Sequence, residues 1–93
     1  MEQKLDATAM IARGDELLKE LRGNEAAAEY ARAAQTDPSA VGAHLGLAEA
    51  NLALGQYGVA GMASQATQRL APDTADAYIA QAIEMTMAGR YDA

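Results

Sequence analysis

Apolar and polar positions along this chain recur with a helical period, punctuated by glycine, asparagine and proline. From Leu5 to Leu21, the residues Met10, Gly14, Leu17 and Leu21 follow the i, i+4, i+7, i+11 spacing of one helix face. Gly23 is placed to end that helix, and Asn24 to cap the next by accepting a backbone N–H bond. The stretch "EAAAEYARAAQ" favours helix strongly up to Asp37 and Pro38, where proline stops it. Ser39 is a candidate cap for a third helix through "AVGAHLGLAEANLAL" to Gly55. A fourth spans about Tyr57 to Leu70 and stops before Pro72. Asp73 or Thr74 opens a fifth, expected to end at Gly89. No segment alternates with the period of a strand. The pattern predicts five helices joined by short turns, an all-α chain.

The punctuation repeats. Gly55 and Tyr57 return as Gly89 and Tyr91, and Pro38 returns as Pro72, each 34 residues on. The small residues Gly14, Ala48 and Ala82 keep the same interval, as do Ala26 and Ala60. Features of different chemistry sharing one register indicate an internal repeat. Small residues at such positions let two helix axes approach closely where they cross.

On these residues the chain resembles the tetratricopeptide repeat family, whose unit is a helix, a turn and a second helix. The second unit carries the pattern through His44, Leu47, Ala48, Gly55, Tyr57, Ala60 and Pro72. The first carries it through Gly14, Ala26, Tyr30, Ala33 and Pro38, and the third through Tyr78, Ala82, Gly89 and Tyr91. The resemblance implies a single domain, 1–93, built as a right-handed superhelical α-solenoid of antiparallel helix pairs. Its units would be about 7–40, 41–74 and a half unit 75–93. Three departures stand out: the first turn, "LRGN", lacks the Gly-x-Tyr in register, Ser64 replaces an aromatic and Thr67 replaces an alanine.

Composition narrows the picture. Of 93 residues, 51 % are hydrophobic and only 4 % aromatic, with no Phe or Trp. About a quarter are alanine, which favours helix but buries little area. The net charge of −6 and seven scattered basic residues argue against nucleic acid and anionic membrane surfaces as partners. Cysteine is absent, which removes thiolate chemistry and sulfur-ligated metal sites. The start, "MEQKLDATAM", lacks the apolar core of a signal peptide, so the expected compartment is the cytoplasm.

Candidate chemistry is sparse. His44, the single histidine, falls where the repeat wants a bulky packing residue, and scattered carboxylates do not complete a metal site. No phosphate-binding glycine loop or nucleophile elbow is present. The sequence therefore predicts no catalytic, metal or cofactor residues and no enzyme.

Binding is what the resemblance implies, with the first helix of each unit lining a concave groove. The groove would present Ile11, Asp15, Leu18, Gly42, Leu45, Gly46, Glu49, Leu52, Ile79 and Ile83, with Asp76 beside them. Family members that clamp a carboxylate use lysine, arginine and asparagine there. This chain has Ile11, Asp15, Leu45, Gly46, Glu49, Asp76 and Ala80, which excludes that mode. An apolar groove with acidic spots suits a protein or peptide ligand, either an amphipathic helix or a short apolar and basic segment. Gly42 and Gly46, four residues apart, read either as a slot for a partner helix or as poorly optimised helix positions. On both readings, alanine at the two positions is expected to stabilise the free protein.

The alternative function is self-association into a homo-oligomer. The fifth helix, "ADAYIAQAIEMTMAG", is apolar around much of its circumference and has no partner helix after it. Tyr78, Met85, Met87 and Tyr91 are its candidate contact residues. Either the chain is cut from a longer array or copies associate through this helix, and the two are compatible.

Overall fold

A computed structural model describes the backbone of residues 2–92 and the side chains of residues 6–89. It contains helices α1 (Glu2–Lys19), α2 (Gly23–Thr36), α3 (Val41–Ala53), α4 (Tyr57–Leu70) and α5 (Ala75–Asp92). There is no strand among the described residues. The fold is all-α with five helices, and none of the described helices is long and apolar enough to cross a membrane.

The turns are built by the same device at two places. Gly55 takes φ +77° after α3, and the Gln56 N–H donates to the Asn51 carbonyl at 2.8 Å. This left-handed residue closes the helix end by satisfying a carbonyl that the helix leaves unpaired. In the same register Leu21 takes φ 61° after α1, and the Arg22 N–H donates to the Leu17 carbonyl at 2.9 Å. Leu21 is therefore the turn residue and not part of the buried face of α1; its side chain is 91 % exposed. A branched side chain in the left-handed region carries a steric cost of about 1–2 kcal/mol.

Several expected boundaries shift. Gly23 and Asn24 are the first residues of α2, which no side chain caps. Ser39 caps nothing: its N–H and hydroxyl both donate to the Asp37 carboxylate, at 3.1 and 2.7 Å, within the turn before α3. The same turn is tied to α3 by His44, whose Nε2 donates to the Pro38 carbonyl at 2.8 Å. Thr74 does cap α5, its hydroxyl accepting from the Ala77 N–H at 3.2 Å. Helix α5 runs through Gly89 to Asp92, because a glycine inside a helix costs only about 1 kcal/mol and does not by itself end it.

Consecutive helices pack on one another, and α3 touches both α1 and α5. Three small clusters form the core. Ala7, Ala33 and Ala43 make the first; Leu17, Ala26, Tyr30 and Ala50 the second; Ala48, Ala60, Ala63, Ile83 and Met87 the third. The sequence register predicts close crossings at Gly14 with Ala26 and at Ala48 with Ala60, and all four residues are buried. Ala82, third in the series, is exposed, because no helix lies against that side of α5.

Candidate functional site

Helices α1, α3 and α5 lie side by side, so residues on their shared surface come from three separate parts of the chain. Three carboxylates face one another's field there, one from each helix. Asp15 stands on α1 and accepts a hydrogen bond from the Tyr30 hydroxyl of α2 at 2.5 Å. Glu49 stands on α3, 34 residues on, within electrostatic reach of both Asp15 and Asp76 of α5.

Glu49 is exposed at its outer edge, yet protein atoms displace part of its hydration. That loss of water, then repulsion from Asp15 and from Asp76, raises its pKa above the ordinary glutamate value. Among the described residues no cation contributes to that balance. Burial, together with the same field, pushes the Tyr30 phenol up and keeps it a neutral donor to Asp15.

Beside the carboxylates, Leu18 and Leu52 are half-buried, Ile79 is 43 % exposed, and Gly42 is exposed above the Ile11 side chain. A recess of about 360 Å³ opens against Asp15, Leu18 and Lys19. Lys19 is not among the candidates from sequence. It falls at the last turn of α1, where a cation offsets the helix dipole, so nothing in its local pattern marks it as a surface feature of this recess.

Three predicted site residues lie elsewhere. Gly46 is buried: a Cβ on it would stand 2.2 Å from the Tyr30 ring, so it is part of the interior and not a slot for a partner. The expectation that alanine there stabilises the protein is overturned by that contact. Ile83 and Met87, 6 % and 7 % exposed, point inward to the third core cluster. Ile83 therefore does not line the groove surface, and Met87 is no self-association contact. Leu45 is half-buried and packs on that same cluster, so only part of its side chain faces outward. The side chain of Tyr91 lies outside the described residues. Tyr78 and Met85 are exposed as expected, at 60 % and 74 %.

Among the described residues no set of three or more histidine and carboxylate side chains is placed to hold a metal ion. His44 is engaged with the Pro38 carbonyl. A second apolar recess, about 350 Å³, lies on the outer side of α3 and α4 between His44, Leu47, Val59, Met62 and Arg69. Comparison with known proteins adds no assignment: no protein-family model, curated protein or solved structure matches the chain.

Proposed function

We propose that this protein is a non-catalytic interaction module. It binds a peptide or amphipathic helix across the surface of α1, α3 and α5, the groove of a short right-handed α-solenoid of the tetratricopeptide type. The observation that carries the reading is the placement of Asp15, Glu49 and Asp76 on one surface beside partly exposed apolar side chains, where lost hydration and then repulsion from the other two carboxylates raise the Glu49 pKa. A cationic side chain seated there would relieve the repulsion, while apolar neighbours such as Leu18 and Ile79 would take the ligand's apolar positions. The ligand is accordingly a protein segment that is apolar and basic, with no nucleic acid, membrane or cofactor involved.

A fluorescent amphipathic helix of leucine and lysine, and its leucine and glutamate counterpart, test this by anisotropy titration. The lysine peptide should bind at least about tenfold more tightly. Glu49→Lys should weaken it about tenfold, while Glu25→Lys on α2, the same charge change away from the surface, should alter it less than about twofold. Equal losses from the two variants would reduce the binding to net charge and remove the site.

A second reading is favoured by one observation: Tyr78 and Met85 leave a large apolar face of α5 open. On this reading the chain associates with itself through that helix.

A further inference from the structure

The unpartnered side of α5 is defined by its register mates. Gly14 and Leu17 on α1 are buried against α2, and Ala48 on α3 is buried against α4, with Asn51 buried one turn on. The residues at those positions on α5 are Ala82 and Met85, and both are exposed. The face is therefore shaped as the other two are, to receive a helix closely at a small residue.

We infer that α5 pairs with α5 of a second copy of this chain, antiparallel and two-fold symmetric, with the two Ala82 residues at the axis. The inference rests on the self-association reading, and its face shares only Ile79 with the groove surface. Three features of the face select a second copy over some other helix.

The small residues Ala75, Ala82 and Gly89 recur every seven positions, and all are exposed. A constant spacing of seven keeps one seam facing a partner helix. Between them stand the larger pairs Tyr78 with Ile79 and Met85 with Thr86, also exposed. The order small, large, small, large, small is the same in both directions about Ala82. An antiparallel two-fold thus sets Ala82 against Ala82 and Ala75 against Gly89, a seam of small residues at which the axes approach, with Tyr78, Ile79, Met85 and Thr86 of each copy flanking it. Such self-complementarity is what an isologous interface requires.

Charge supplies the third feature. Copies of a chain with net charge −6 repel one another. None of the seven residues of this face is charged, and the acidic residues of the helix whose side chains are described lie off it: Asp76 is half-buried, and Glu84 accepts from Gln68 of α4 at 2.5 Å. Among the described residues, this face is the part of α5 where two acidic molecules can meet without a carboxylate between them.

Because the chain has no cysteine, single thiols report the geometry directly. Sedimentation of the full chain over a concentration series should show a monomer–dimer equilibrium. Ala82→Glu should weaken it at least about 30-fold, since like charges meet at the axis, with an unchanged helical circular-dichroism spectrum because Ala82 is exposed in the monomer. Ala82→Cys should form a disulfide dimer under mild oxidation, because the two α-carbons come within about 7 Å. Ala75→Cys alone should not, but an equimolar mixture with Gly89→Cys should give the mixed dimer. A chain that stays monomeric at every concentration overturns both the pairing and the self-association reading. A dimer indifferent to Ala82→Glu, or an Ala82→Cys dimer whose thiols do not join, overturns the pairing and leaves association through another surface.

Discussion

At the first helix crossing the Tyr30 ring packs against Gly14 and Gly46, so closely that a Cβ on either glycine would lie under 3 Å from it. The same three positions 34 residues on hold Ser64, Ala48 and Ala80, all fully buried. Where the second helix of the pair carries a large ring, its neighbours on the flanking helices have lost their side chains. Where it carries a small hydroxyl, those neighbours have regained a methyl group. Close-packed interiors keep volume constant across a contact in this way, because either a void or an overlap costs free energy. The hydroxyls differ as well. That of Tyr30 reaches Asp15, whereas the Ser64 Oγ is buried without a hydrogen-bond partner. The first crossing is thus both fuller and better satisfied than the second.

The largest effects come from breaking that complementarity. Tyr30→Ser should destabilise the protein by about 4 kcal/mol, through the lost ring and the cavity it leaves. Gly46→Ala should cost about 3 kcal/mol, since its methyl would overlap a ring that α1 and α3 hold from both sides. Joined with Gly14→Ala, the two changes write the second crossing's residues into the first. This triple variant should be more stable in urea titration than Tyr30→Ser alone, because the new methyl groups then fill space. Simple additivity of the three effects would mean that the positions are not coupled as described.

A smaller effect is expected at the second crossing. Ser64→Ala removes a buried hydroxyl that bonds to nothing and should stabilise the protein by about 1 kcal/mol. The corresponding change at the first crossing, Tyr30→Phe, should act in the opposite direction by about the same amount, because it removes a hydrogen bond to a carboxylate. Equal signs in the thermal midpoints of the two variants would erase the distinction between the crossings.

This contrast also explains what can be read from the chain and what cannot. The five helices are legible because glycine and proline act locally: Gly55 makes its turn, and Pro38 and Pro72 fall between helices. The first turn is hard to place because Leu21, a poor left-handed residue, is held there by the packing of α1 on α2 and by no preference of its own. Gly46 misleads for a related reason. Its meaning depends on Tyr30, a residue on another helix, and helical periodicity carries no information about which ring lies above a glycine. On α5 the difficulty is directional. Apolar residues surround the helix, so its sequence does not choose an inner face, and only contact with α3 and α4 turns Ile83 and Met87 inward and leaves Tyr78 and Met85 outside. The carboxylate cluster is half legible: Asp15 and Glu49 share the 34-residue register, but the approach of Asp76 is tertiary.

The smallest expected effect concerns the carboxylates, where the crossings differ once more: Asp15 has a tyrosine hydroxyl and Glu49, in the same register, has none from Ser64. Glu49 has its pKa raised in the folded chain above the ordinary value of 4.5. Below that value both folded and unfolded chains carry the proton, and Glu49 adds no pH dependence. As pH rises through the interval up to the raised folded pKa, the unfolded chain releases its proton first, so stability falls. Above the interval both states are ionised and the loss is complete. Glu49→Gln should remove this fall, so the variant gains on the parent as pH rises, by an amount that solvent screening keeps small at an exposed side chain. Urea midpoints of the two proteins across that window measure the difference directly. A cationic ligand at the same surface offsets the repulsion, so the affinity of the lysine peptide should rise over the same interval in the parent and stay flatter in Glu49→Gln. Parallel pH profiles for the two proteins would remove Glu49 from the binding surface, whatever its effect on folding.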